Sequence, residues 1–124
     1  MRCFGPASLW GYAYMDDVAQ IEIVEDGAQV TVVGGGSLDL SNSMVFHDGL
    51  KKASETVDNV TVDLRTADFI DTAIVQDLAR AAVIMLKRGL RLRVLSREGA
   101  YPLRVLRISG FEGIMDIVVE AAER

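Results

Sequence analysis

Val60-Thr61-Val62-Asp63-Leu64-Arg65-Thr66-Ala67-Asp68-Phe69-Ile70-Asp71-Thr72-Ala73-Ile74-Val75-Gln76-Asp77-Leu78 is the stretch on which the reading of this chain turns. Val60, Val62 and Leu64 alternate with Thr61, Asp63 and Arg65, the two-residue period of a half-buried strand. From Ile74 the period changes. Ile74, Val75, Leu78, Ala81, Ala82, Met85 and Leu86 recur at the spacing of a helix with one apolar face. Between the two lies a short acidic turn that ends at Asp71-Thr72, where a capping side chain and the positive end of a helix dipole are expected. A hydroxyl at such a helix start is well placed to carry a phosphate, because unpaired backbone N–H groups and the dipole both favour an anion. Thr72 is therefore the first candidate functional residue, and an ordinary capping role is the competing reading.

Upstream, Gln20 to Val24 alternates as a strand, Glu25-Asp26-Gly27 signals a hairpin turn, and Gln29 to Val33 reads as the returning strand. Gly34-Gly35-Gly36-Ser37 breaks that pattern and reads as a turn. Ser41, Asn42 and Ser43 offer N-caps for a helix with Phe46, Leu50, Ala53 and Val57 along one stripe. Gly49 inside that helix costs about 1 kcal/mol relative to Ala. Downstream, Arg88-Gly89 ends the long helix, and Leu90, Leu92 and Val94 alternate as a further strand. Pro102 suits the first turn of a short helix through Ile108, which Gly110 stops, and Ile114 to Val119 is a last apolar run, strand or short helix. Strands separated by helices need crossover connections. The predicted fold is therefore α/β: a small, mixed, mostly parallel sheet packed against helices, with an N-terminal antiparallel hairpin. Residues 19–124 make one domain, and residues 1–18 an N-terminal extension that need not be ordered. Trp10 and Tyr12 in that extension are either unstructured or cover a sheet edge or dimer face.

A chain of 124 residues, 50% of them hydrophobic, suffices for one core. The single cysteine, Cys3, rules out an internal disulfide and a thiolate metal cluster, and suits a reducing cytoplasm. No apolar run approaches the roughly 20 residues of a membrane-spanning helix, so no direct membrane insertion is expected. A net charge of -5 argues against nucleic acid as a partner. The charge is uneven: three basic against nine acidic residues in 1–62, ten against nine in 63–124. Arg88, Arg91, Arg93, Arg97, Arg104 and Arg107 form either a solvated face or a patch that meets an acidic protein.

Catalytic constellations do not emerge. Gly34-Gly35-Gly36-Ser37 lacks the Lys and the spacing of a phosphate loop. His47-Asp48 beside Ser41 and Ser43 is adjacency, not a triad, and His47 reads as a helix surface residue. Asp63, Asp68 and Asp71 suggest a receiver-like Mg²⁺ site, but no suitable Lys follows at another strand end. No enzyme activity, metal or cofactor is expected.

Three segments in order resemble the STAS domain, the fold of bacterial anti-sigma-factor antagonists, over Ala19 to Val119. Gly36-Ser37-Leu38-Asp39 is similar to that family's G-x-L-D loop. Val62-Asp63-Leu64-Arg65 through Phe69-Ile70-Asp71-Thr72 is similar to its segment ending at a phosphorylatable hydroxyl. Gly89 to Leu95, then Leu103 to Phe111, resembles its late strand, closing helix and terminal Gly. The resemblance implies a cytoplasmic, non-enzymatic switch protein that binds an anti-sigma factor or serine-threonine switch kinase and is controlled by phosphorylation at Thr72. It implies partner contacts through Asp39, Asp71, Thr72, Ala73 and Ile74, and leaves homo-oligomerisation open. Threonine at this position is nearer the stressosome type than the sporulation type. Common antagonists have Asp-Ser-Ser-Gly where this chain has Asp71-Thr72-Ala73-Ile74. The alternative implied function is a non-phosphorylated STAS scaffold subunit of a stressosome-like or lipid-transport complex.

Overall fold

The alternation at Gln20–Val24 becomes β3 (Ala19–Asp26), joined by a turn at Gly27 and Ala28 to β4 (Gln29–Leu38) as an antiparallel hairpin. The computed structural model describes residues 2–3, 14–15, 19–39 and 43–121. Every pairing after the hairpin is parallel. β4 pairs with β5 (Asn59–Asp63) and with β6 (Ala67–Ile70), β5 with β7 (Arg93–Arg97), and β7 with β8 (Asp116–Glu120). α1 (Met44–Thr56), α2 (Thr72–Lys87) and α3 (Tyr101–Ile108) make the crossovers. The sheet order is β1 (Arg2–Cys3), β3, β4, β5, β7, β8, with β2 (Tyr14–Met15) on β3 and β6 on β4. The mixed, mostly parallel α/β architecture read from the sequence is thus the one observed. β1 and β2 each pair antiparallel with β3. Trp10 and Tyr12, and with them most of the 1–18 extension, lie outside the described residues.

Register explains the single core. Ile21, Ile23, Val30, Val32, Val60, Val62 and Val94 fall on one face of the sheet and are all buried. The helices bury Phe46, Leu50, Leu78, Ala82, Met85 and Leu106 in the same cluster. The opposite face carries Glu22, Thr31, Asp63, Arg93 and Leu95. α1 has no basic residue in its own last turn to meet its free carbonyls. Arg88, just past α2, supplies the cation: its guanidinium donates to Ser54 O and Val57 O at 2.8 Å and to Asp58 Oδ1 at 3.0 Å.

Four expectations change. Gly34, Gly35 and Gly36 are strand, not turn. β4 runs through them because neighbours press where side chains would stand: a Cβ at Gly34 would meet Leu38 Cδ1 at 2.7 Å, one at Gly35 Thr66 Oγ1 at 2.6 Å. Gly36 takes φ +74 where the pairing with β6 shifts register, a bulge conformation that L side chains resist. The acidic turn after β5 contains β6. The chain leaves the strand after the buried Leu64, turns at Arg65 and Thr66, then rejoins β4 further along, fixed by Gly36 N–H donating to Thr66 O at 2.9 Å. β7 begins at Arg93 rather than Leu90. Ser43 stands at the N-cap of α1 without a side-chain capping bond, and Ser41 and Asn42 lie outside the described residues. The open choice at Ile114 to Val119 resolves as the strand β8.

Candidate functional site

Parallel strands present their carboxyl ends at one edge, where ligands and partners meet such sheets. The β4–β6 pairing ends with Leu38 opposite Ile70, so Asp39 and Asp71 follow adjacent strands out of the sheet at the same level. Asp71 N–H donates to Leu38 O at 3.1 Å and holds the two loops together. Asp71 is the N-cap of α2: its Oδ1 accepts from Ala73 N–H at 3.0 Å and Ile74 N–H at 3.2 Å. Thr72 is the first helical residue, is exposed, and its hydroxyl bonds no described residue. Asp39, Asp71 and Ala73 are half-buried around it, whereas Ile74 is wholly buried among core residues beneath. The structure therefore brings four of the five sequence candidates to one surface and puts the fifth under it. It also revises the electrostatics. The helix start is not a vacant anion cradle, because Asp71 already takes two of its N–H groups.

Phe69 stacks on Tyr101 with ring centroids 5.4 Å apart and planes 15° apart, both rings part-exposed. A cavity of about 290 Å³ opens between the first turns of α1 and α2, lined by Met44, His47, Ala73, Gln76 and Arg80 among others. Met44 stands 70% exposed at its mouth. Its floor holds an interaction that sequence reasoning missed. His47 Nδ1 lies 2.7 Å from Asp77 Oδ1, and Arg80 Nη1 donates to the same oxygen at 3.3 Å. Asp77 is 8% exposed, so His47 is a helix-to-helix strut rather than a free surface residue or a partner of Asp48. The available signal was Asp77 itself, an acid set into the apolar stripe of Ile74, Leu78 and Ala81.

The three aspartates of the receiver-like reading do not converge. Asp71 caps α2, and Asp63 is gripped by Arg65 through Oδ1 at 3.0 Å and Oδ2 at 2.8 Å. Arg65 reaches on to Glu120 at 2.8 Å, tying β5 to β8. Among the described residues no group of three or more His, Cys, Asp or Glu is arranged to hold a metal ion. None of the described helices is long and apolar enough to cross a membrane.

Burial pushes the Asp63 carboxyl up, but the side-chain and backbone hydrogen bonds from Arg65, with its charge, outweigh that and hold it below the ordinary aspartate value. A carboxylate with a depressed folded pKa stabilises the fold above its unfolded pKa, and the contribution is lost as pH falls through the folded one. Arg65→Gln is therefore expected to melt below wild type at about pH 7, with the gap closing as pH drops below about 4. Melting curves from about pH 7 to about 2.5 check this. A gap that stays constant would show that the ion cluster does not act through Asp63.

Comparison with known proteins places these features. A family model described as Mlab, STAS domain matches residues 21–120. No curated protein sequence matches the chain significantly. An anti-sigma factor antagonist from Mycobacterium paratuberculosis superimposes with a TM-score of 0.66 at 14% identity, covering 84% of this chain and 88% of that one. A candidate anti-sigma factor antagonist from Thermotoga maritima superimposes with a TM-score of 0.67 at 14% identity, covering 81% and 86% respectively. At that identity the two structures speak to the fold alone.

Proposed function

The chain belongs to the STAS family, and on that footing we propose that it is a partner-switching regulator of the anti-sigma-factor-antagonist kind, controlled by phosphorylation of Thr72. The family is non-catalytic and acts by binding. The reading is supported chiefly by one juxtaposition: the Asp39 loop and the Asp71-Thr72 helix start are locked side by side, with Thr72 exposed and its hydroxyl bonded to no described residue. Such a surface suits a serine-threonine switch kinase or anti-sigma factor, which must bind it and also bring a phosphoryl donor to its centre. The contacts fall to Asp39, Asp71, Thr72 and Ala73, with Ile74 fixing the shape beneath them.

A phosphate adds about −1.5 to −2 charge and three acceptor oxygens. Beside two carboxylates it repels an acidic partner surface and blocks close apposition, so the switch is local charge and bulk rather than refolding. A second reading, a STAS scaffold subunit of a stressosome-like or lipid-transport complex that is never phosphorylated, draws on one observation: Asp71 leaves the Ala73 and Ile74 N–H groups unavailable to a phosphate.

Incubating the chain with the serine-threonine switch kinase of its own host and mapping the product by mass spectrometry tests the choice. Label at Thr72, absent from Thr72→Ala, is the expected result. Undiminished labelling of Thr72→Ala would sink the phospho-switch. No labelling at all, with the chain recovered in large multisubunit particles, would favour the scaffold.

A further inference from the structure

α3 carries a surface that the Thr72 loop does not use. It buries Pro102, Leu103 and Leu106, and leaves Tyr101, Arg104, Arg107 and Ile108 outside. Ile108 is 79% exposed, more than any other large apolar side chain among the described residues. Tyr101, Arg104 and Ile108 recur at positions i, i+3 and i+7, so they line one side of the helix. Tyr101 stacks on Phe69, which carries the apolar strip across to β6.

The charges are as telling as the apolar atoms. This chain has 18 acidic and 13 basic residues, so a carboxylate should be easy for an arginine to find. Arg65, Arg80, Arg88 and Arg91 each meet one. Arg93, Arg97, Arg104 and Arg107 make no ion pair or hydrogen bond through their side chains with any described residue, and of these four Arg104 and Arg107 lie on α3 with Ile108. Two unmatched cations therefore border an exposed isoleucine and an exposed aromatic pair. Arg and Tyr are the side chains that most often anchor protein interfaces.

We infer that this side of α3 is a second docking surface, for an acidic amphipathic segment of a partner protein. Apolar residues of that segment would cover Ile108 and the Phe69–Tyr101 pair, and its carboxylates would meet Arg104 and Arg107. An anionic bilayer fits less well. The helix has eight residues, and a body of net charge -5 is repelled by a negative surface. The inference stands apart from the Thr72 reading, because Arg104, Arg107 and Ile108 are not among the residues assigned to that surface.

The test uses the ¹⁵N-labelled full chain and three probes. These are a synthetic helical peptide with Leu on one face and Glu on the other, its counterpart with Lys for Glu, and phosphatidylglycerol vesicles. The Glu peptide is expected to shift the amides of Tyr101 to Ile108 and of Phe69, with affinity falling about threefold or more between low and physiological salt. Arg104→Glu with Arg107→Glu should weaken it at least about tenfold. Ile108→Ser should weaken it severalfold and leave the salt dependence unchanged. All three positions are exposed, so circular dichroism should show folded variants. Thr72→Ala should bind the peptide as wild type does, which separates this inference from the phospho-switch. Equal shifts from the Lys peptide, no shift at α3, binding to vesicles but not to peptide, or the same shifts on concentrating the chain alone would each overturn it.

Discussion

Replacing Gly49 by Val is expected to lower the melting temperature by about 10 °C. Taken alone, Gly49 is a defect, since a mid-helix Gly costs about 1 kcal/mol relative to Ala. The packing reverses that reasoning. Gly49 is buried where α1 crosses β3, and a Cβ there would collide with Ile23 Cδ1 and stand 3.1 Å from Ile23 Cγ1. Ile23 is itself 1% exposed and pairs with Val32 in the sheet, so it cannot swing into solvent. Overpacking of this sort costs typically 1–3 kcal/mol, and a β-branched side chain in a helix falls near the upper end. Ile23→Val removes the colliding methyl group at a cost of about 1 kcal/mol when made alone. Combined with Gly49→Val it should restore part of the lost stability, a coupling of opposite sign to the single effects. Thermal melts of the two single variants and the double variant decide it. If Gly49→Val melts with wild type, close approach is not why a glycine stands there.

Gly49 also shows where sequence reading reaches its limit. Periodicity reports which way a side chain faces, and the elements with clean periods were legible: the hairpin, β5, α2, and α3 behind its Pro102. Glycine has no side chain to face anywhere, so Gly34 to Gly36 read as a break although β4 continues through them. What they accommodate, Leu38 and Thr66, becomes a neighbour only after the chain has folded. β6 was hidden for a related reason. Its exposed residues, Asp68 and Phe69, sit side by side between buried Ala67 and Ile70, and four residues carry too short a pattern to register. The site was legible in its residues but not in its electrostatics. Thr72 at the helix start followed from the change of period, whereas the engagement of Asp71 with Ala73 and Ile74 is a matter of side-chain geometry. The His47–Asp77 contact joins residues thirty positions apart, and no local pattern reports it.

That geometry sharpens what a charge at position 72 should do. With the Ala73 and Ile74 N–H groups held by Asp71, a phosphate on Thr72 adds its charge without those two donors to offset it. The helix dipole still favours an anion in this turn and the Asp71 carboxylate opposes one, so fold stability should change little. Partner binding should change much more. Like charges brought together at an interface cost several kcal/mol, so Thr72→Asp should bind the co-purified partner about tenfold more weakly or worse. Thr72→Ala should bind within about twofold of wild type, because the hydroxyl bonds no described residue and the surface stays neutral there. Asp71→Asn separates charge from shape. Asparagine caps as well as aspartate, so the two N–H bonds survive while one negative charge is removed. In that background Thr72→Asp should lose less affinity than it does beside Asp71. Neutralising Arg104 and Arg107 should instead give a smaller loss that fades with salt, since exposed charges are screened over about a Debye length. Binding measured for the five variants at two salt concentrations sorts these cases. If Thr72→Asp binds like wild type while the double arginine variant does not bind, the partner reads α3 and the Thr72 loop is not the switch.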